Sequence, residues 1–469
     1  MDLFRKKVPY SSTNQESALK RSLSAFDLTL LGMGAVIGAG VFVLTGVVAA
    51  TQAGPAIIFS YMMAGLACVF AALSYAELAA MIGGCGSAYG YAYAGFGELL
   101  AWIVGWDLLL EYTVSVSAVS VGWSAYVGDV FSSLAVHFPK TLLHGPMDGG
   151  FVNVMALLII MLLTLLLTLG MRGSKRFNHA MVAIKLSVII AVVVVTAMAF
   201  QQKNWVPFAP FGWTGVMQGA SLIFFAYVGF DAVATTAEEV INPQRSLPIG
   251  IVGSLFICTA IYIIVAACLT GSVPYYLLNV ASPISHALLL LGQPAIAGIV
   301  GVGAIAGLST VMLVLFYGLS RVFLAMARDG LLPNYFAKVD AKTHTPVRII
   351  VCCGFFMSLI AGWVPLGDLA ELVNVGTLFA FAIVCTGVIV LRYTSPDTPR
   401  PFKTPGAPVV PLLGIFCCVY LMVNLPWITL LRFVVWMALG MVVYFTFSRK
   451  NSLLSPQNMQ VSGVDGVMK

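Results

Sequence analysis

Twelve long apolar stretches follow one another along this chain of 469 residues. A helix needs about 20 mostly apolar residues to cross a bilayer, where every backbone polar group must be paired within the protein. With 9% charged residues and a mean hydropathy of +0.98, the chain lies far outside the range of soluble globular proteins. The sequence therefore predicts an all-α polytopic membrane protein with 12 transmembrane helices. Their approximate limits are 26–52, 55–82, 98–129, 151–171, 178–200, 215–238, 248–272, 295–327, 347–364, 369–392, 408–429 and 431–448.

The basic residues indicate the orientation of these segments. If the N-terminus lies inside the cell, 20 of the 24 lysine and arginine residues fall on the cytoplasmic side, three fall outside, and Lys185 lies within the fifth segment. This asymmetry satisfies the positive-inside rule. We therefore expect a multi-pass protein of the cytoplasmic membrane with both termini in the cytoplasm. Topology alone explains the formal net charge of +6, so membrane lipid is an expected partner and nucleic acid is not.

The first ten segments divide into two sets of five with similar orders of helices and connectors, and each set begins with a glycine-interrupted helix. Because five is an odd number, two consecutive five-helix units must have opposite topology, which is the inverted repeat of many secondary transporters. The last two segments are then peripheral additions. The predicted units are a cytoplasmic N-terminal segment (1–25), a first repeat (26–200), a second repeat (215–392), the last two helices (408–448) and a cytoplasmic tail (449–469).

The first segment contains the stretch GMGAVIGAGVF (32–42), whose four glycines each weaken a helix by about 1 kcal/mol relative to alanine. Two interpretations fit. Gly34 and Gly38 form a small-xxx-small pair that lets helices pack closely. Alternatively, the helix is unwound near the midplane, where freed N–H groups bind a carboxylate and freed carbonyls bind an ammonium. The stretch FFAYVGFDA (224–232) in the sixth segment favours unwinding, because a zwitterionic amino acid fits both ends of such a site.

Four longer motifs occur in order: GMGAVIGAGVFVLTG (32–46), GSAYGYAYAGFGELLAWIVGWDLLLEY (86–112), FFAYVGFDAVATTAEEVINPQRSLPIGI (224–251) and SRVFLAMARDGLLP (320–333). By these motifs the chain resembles, over nearly its whole length, the cationic amino acid transporter family of the amino acid, polyamine and organocation superfamily. The resemblance implies a leucine-transporter-type fold, with a five-plus-five inverted repeat, broken helices 1 and 6, and alternating access. It also implies L-amino acid substrates, which are cationic for some members and broad or small and neutral for bacterial relatives.

The resemblance further implies a substrate site at the two breaks. Ala39 offers no hydroxyl between its flanking glycines, so peptide N–H groups would have to recognise the carboxylate. Phe225 would be a side-chain wall or gate. Met312 would limit the size of the substrate side chain, although a buried methionine is more often part of the core. The residues assigned to this site are Val36, Gly38, Ala39, Gly40, Phe225, Ala226, Val228 and Met312.

Lys185 lies seven residues beyond the predicted start of its helix, which is about 10 Å along the axis. Its side chain could snorkel to the headgroups, but an ionisable residue within the membrane is a functional hypothesis by default. The resemblance places its amine between the first and eighth helices, where sodium-coupled relatives of this fold bind a cation. A positive amine there would repel sodium. We therefore predict proton coupling through Lys185, with the proton gradient as driving force and without a cofactor or a metal.

Glu111 and Asp107 lie four residues apart on the third helix and so face the same side. The resemblance points Glu111 toward the substrate, where it could hold a cationic side chain or order a polar network. A purely structural, hydrogen-bonded carboxylate is an equally good interpretation. Because Glu111 alone does not make a cationic specificity, we expect broad or small neutral substrates.

The sequence therefore predicts a secondary active transporter, and not an enzyme, that imports L-amino acids by alternating access in symport with protons. Three alternatives stay open. An amino acid exchanger would transport without net proton coupling, and a sensor would bind an amino acid without transporting it. A membrane-embedded hydrolase would use Asp107 and Asp231, but no catalytic motif accompanies these two carboxylates. The sequence indicates no protein partner.

Overall fold

A computed structural model describes Arg5 and residues 23–82, 88–133, 139–170, 175–343 and 345–455. These residues are helical apart from turns, loops and a single β-bridge between Leu23 and Val240. The helices of eight residues or more are α1 (Ala25–Val36), α2 (Ile57–Ile82), α3 (Ala88–Gly95), α4 (Glu98–Ser133), α5 (Val154–Thr168), α6 (Lys175–Met198), α7 (Gly212–Ile223), α8 (Pro243–Ser272), α9 (Pro283–Leu290), α10 (Pro294–Arg328), α11 (Val347–Trp363), α12 (Leu366–Thr394), α13 (Val409–Val423) and α14 (Trp427–Val443), with a 3₁₀ helix over Phe230–Glu239.

Each of the twelve predicted segments falls on helical structure. In the described residues, seven helices are long and apolar enough to span a membrane, and four shorter apolar helices lie on other predicted segments. The sixth segment belongs to neither group because it is divided into short pieces. Helix α13 ends at Val423, earlier than the predicted limit of 429, because Pro426 cannot donate the backbone hydrogen bond that would continue it.

The first predicted segment is broken where its glycines lie. Ser24 and Asp27 start α1 with a reciprocal capping box, as their spacing predicts. The helix ends at Val36, and Ile37 has extended backbone angles (φ −72°, ψ 97°). Helical structure resumes with a π-helical turn over Gly40–Leu44 and continues to Ala53. A short non-helical link therefore separates two half-helices.

The sixth predicted segment is broken in the same way. Helix α7 passes into a 3₁₀ turn over Phe224–Tyr227, Val228 is extended (φ −59°, ψ 134°), and a second 3₁₀ helix starts at Phe230. Between them Gly229 has φ +113°, a backbone conformation that residues other than glycine rarely adopt. Glycine at this position lets the chain turn between the two half-helices.

Long helices surround these breaks. Helix α1 packs against α8, α6, α10 and the 3₁₀ helix after the second break, while α4 runs along α10 and α12. Because each broken segment is enclosed by continuous helices, its unpaired backbone groups lie within protein and away from lipid, as a membrane interior requires.

Candidate functional site

The two helix breaks lie directly against each other. A Cβ atom on Gly40 would overlap both the Cβ and the backbone of Ala226. A Cβ atom on Gly229 would lie 3.2 Å from the carbonyl oxygen of Ala35. All four residues are buried. The absence of a side chain at position 40 therefore allows the two backbones to form opposite walls of one site.

The first break leaves a run of peptide N–H groups without helical partners. The Ile37 N–H donates to the Met33 carbonyl at 2.9 Å, and the Phe42 N–H donates to the Gly38 carbonyl at 3.2 Å. Within the described residues, the N–H groups of Gly38, Ala39 and Gly40 donate to no backbone carbonyl. Three successive donors at the start of a half-helix can bind an anionic group such as a carboxylate.

Lys185 is fully buried and forms hydrogen bonds with backbone carbonyls at the same break. Its Nζ donates to the carbonyl oxygens of Gly34 at 2.7 Å and Ile37 at 3.0 Å. A Cβ atom on Gly307 would lie 3.1 Å from Lys185 Cε, so the aliphatic stem crosses α10 at a glycine. The amine thus lies between the first break and α10 and does not snorkel toward the membrane surface.

Tyr262 of α8 connects the two breaks through one hydroxyl. The hydroxyl lies 2.8 Å from the carbonyl oxygen of Val36 and 3.0 Å from that of Ala226. The ring packs against Tyr61 and Tyr227, with centroids 5.3 and 5.6 Å away. Because both carbonyls belong to break residues, this hydroxyl fixes the position of one wall relative to the other.

Buried apolar side chains lie on the second break and on α10. Phe225 and Val228 on the second break are 5% exposed, and Met312 on α10 is fully buried. Val311 of α10 borders the first break, since a Cβ atom on Gly38 would lie 3.1 Å from its Cγ2. The sequence singled out Met312 and missed its neighbour Val311.

Glu111 lies in a separate group of carboxyls beside the second break. Asp231 and Asp107 interact electrostatically with Glu111, and the Thr377 hydroxyl is hydrogen-bonded to it. The Tyr112 hydroxyl donates to Asp231 Oδ2 at 2.6 Å, and Asp231 follows Gly229 by two residues. These contacts connect Glu111 to the half-helix after the second break and to α12.

Tyr262, Val311 and Asn374 contact the breaks but had no role in the sequence-based assignment. The Asn374 side chain of α12 donates to the carbonyl oxygens of Ser221 and Leu222 at 2.8 and 3.0 Å, which satisfies the end of α7. A tyrosine or asparagine within an apolar segment is a sequence signal for such a role. Val311 carries no such signal.

Comparison with known proteins supplies a further set of observations. A family model described as amino acid permease matches residues 23–447. The methylthioribose transporter of Bacillus subtilis (strain 168) is 48% identical over 457 residues, which are 97% of this chain and 99% of that protein. The branched-chain amino acid permease BcaP of the same organism is 48% identical over 461 residues, again 97% of this chain and 99% of that protein. Cationic amino acid transporter 4 of Homo sapiens is 39% identical over 403 residues, which are 84% of this chain and 64% of the human protein.

Proposed function

The chain belongs to the amino acid permease family, and we propose that it imports L-amino acids across the cytoplasmic membrane as a secondary active transporter in symport with protons. It is a multi-pass membrane protein of a transporter family and not an enzyme. The observation that carries the proposal is the close pairing of two helix breaks, the first of which presents three N–H donors at 38–40. Backbone carbonyls of the breaks would receive the ammonium of the substrate. An α-amino acid has complementary charges at its two ends.

The proposed architecture is twelve transmembrane helices in a five-plus-five inverted repeat that works by alternating access. The repeats would be 26–200 and 215–392, followed by the helices of 408–448, with cytoplasmic segments at 1–25 and 449–469. Support comes from the equivalent positions of the two breaks, each in the first helix of its repeat. The distribution of lysine and arginine supports the cytoplasmic placement of both termini.

We propose small or medium-sized neutral amino acids as the substrates. Phe225, Val311 and Met312 would give the site apolar walls, and Glu111 alone does not make a cationic specificity. One relative is named a branched-chain amino acid permease. Another is named a methylthioribose transporter, but a thiosugar has neither an ammonium for the carbonyls nor a carboxylate for the N–H groups.

Uptake by purified protein in proteoliposomes tests this proposal. We expect labelled alanine and leucine to accumulate when the outside is acidified, and excess unlabelled neutral amino acid to compete for uptake. Inhibition that is stronger with arginine or lysine, or with methylthioribose, would show that the substrate class is wrong. Uptake that ignores the pH gradient would favour an exchanger, and binding without counterflow would favour a sensor.

Tyr262→Phe is expected to raise the KM for a neutral amino acid about three- to tenfold with little change in Vmax, since one neutral hydrogen bond contributes about 0.5–1.5 kcal/mol. The substitution removes the hydroxyl that aligns the Val36 and Ala226 carbonyls. Tyr227→Phe is the matched control, because that hydroxyl donates to the Tyr61 carbonyl and to neither of these two. Equal KM values for the two variants, measured as initial uptake rates, would refute this positioning role.

A further inference from the structure

A polar cavity is lined by none of the residues assigned to the site at the two breaks. Its volume is about 400 Å³, and it is enclosed by the end of the first broken helix, by α7, by the first turns of α12 and by the turn between α13 and α14. This volume is within the range of small-molecule pockets. In the proposed orientation these four elements meet on the extracellular side, so the cavity is accessible from outside the cell.

The polar groups of this cavity are one carboxyl and three amides, which can accept as well as donate hydrogen bonds: Glu371, Gln52, Gln218 and Asn424. Glu371 is half-buried, and one of its oxygens accepts a 2.7 Å hydrogen bond from Thr429. The Asn424 amide nitrogen already donates to the Tyr420 carbonyl, which leaves its oxygen for another donor. None of the residues lining the cavity is basic. The neighbouring cation Arg432 pairs with Asp368 at 3.4 Å and also acts on Glu371, but it does not line the cavity. Glu371 is therefore the one charged residue among those that line it.

Gln52 supplies an independent indication of a ligand. It lines the cavity, and its side-chain oxygen is buried without a hydrogen-bond partner among the described residues. A buried acceptor that loses its hydrogen bond costs about 1–3 kcal/mol, so such an atom in a native protein calls for an explanation. A donor bound in the cavity would supply the missing hydrogen bond.

We propose that this cavity binds a small organic cation, a primary ammonium on a short apolar chain. Glu371 would pair with the ammonium, the side-chain oxygens of Gln52 and Asn424 would accept its remaining hydrogens, and the chain would lie against Leu222 and Val423, which also line the cavity. An amino acid fits less well, because its carboxylate would approach Glu371 in a cavity that no basic side chain lines.

An occupant of this cavity would restrain the second broken helix. Leu222 is the penultimate residue of α7, and its carbonyl is bonded to Asn374, which lies three residues after Glu371 on α12. A ligand held by Glu371 and packed on Leu222 therefore adds a contact between α7 and α12. If transport requires α7 to move relative to α12, the cation lowers the rate of turnover without occupying the midplane site.

Butylammonium and butan-1-ol, its neutral isostere, are the probes for this site. We expect butylammonium to raise the thermal stability of the purified full-length protein and to reduce the Vmax of labelled-leucine counterflow about twofold or more with an unchanged KM, and butan-1-ol to do neither. Counterflow without an imposed pH gradient is the appropriate assay, because a membrane-permeant amine would collapse such a gradient.

Glu371→Gln should abolish both effects of butylammonium, and Gln52→Leu should weaken them. Asp340→Asn, which removes an exposed carboxylate from a loop that does not line the cavity, is the control and should retain them. An equal thermal shift in wild type and Glu371→Gln, or an increase in KM for leucine, would refute the site. The thermal shift does not depend on transport. If the protein transports no amino acid but butylammonium still stabilises it only when Glu371 is present, this inference stands and the proposed function is refuted.

Discussion

Lys185→Ala is expected to abolish the stimulation of leucine uptake by an inward proton gradient and to lower uptake about tenfold or more. The Lys185 amine is fully buried and bonded to the Gly34 and Ile37 carbonyls. Hydrogen bonds to a charged group contribute about 1.5–3 kcal/mol each, and 1.4 kcal/mol corresponds to a tenfold change. Alanine removes both bonds together with the ionisable group to which we assign the proton.

Counterflow of labelled leucine separates the two contributions of Lys185. If the amine carries the coupling proton, counterflow without a gradient should survive in Lys185→Ala better than gradient-driven accumulation does. Ser187→Ala is the control on the same helix, because that hydroxyl is exposed and bonds only to its own helix at the Ala183 carbonyl. Gradient-driven uptake by Lys185→Ala that equals the wild type would contradict proton coupling through this residue.

Much of the fold could be predicted from the sequence because two strong signals act locally. Apolar length marks each helix, and the glycines of 32–42 and 224–232 mark the two breaks. The sequence left two interpretations of the glycines in the first segment open, close helix packing and an unwound helix, and different glycines fit each of them. A Cβ atom on Gly34 would lie 2.8 Å from Asn178 Oδ1, so this glycine serves helix packing. Gly38 and Gly40 border the unwound link.

The contacts between segments were less accessible to sequence reasoning. Tyr262 is 36 residues from Ala226 and 226 from Val36, and nothing in the local pattern indicates that one hydroxyl reaches both. Similarly, the position of Val311 beside Gly38 depends on how α10 is rotated about its axis, which the packing of neighbouring helices determines. The location of Lys185 followed from family resemblance, whereas its two carbonyl partners required the tertiary structure.

Gly40→Ala is expected to weaken binding of a neutral amino acid about tenfold or more, since forcing an extra methyl group into a packed interior costs about 1–3 kcal/mol. The new Cβ would overlap both the side chain and the Cα atom of Ala226, and would therefore separate the N–H donors of the first break from the carbonyls of the second. Gly40→Leu should abolish binding while the protein still inserts into the membrane. Ligand-induced thermal stabilisation and equilibrium binding of labelled leucine measure the effect.

Two further variants distinguish a local effect on the site from a general loss of stability. Gly298→Ala on α10 is the matched control, because a Cβ atom there meets nothing within 4 Å, and it should bind leucine as the wild type does. Ala226→Gly should not rescue Gly40→Ala, because the obstructing atoms include the Ala226 backbone, which glycine retains. Wild-type affinity in Gly40→Ala would mean that the breaks do not form the binding site. Full rescue by Ala226→Gly would instead mean that Gly40→Ala weakens binding by a clash with the Ala226 side chain and not with the Ala226 backbone.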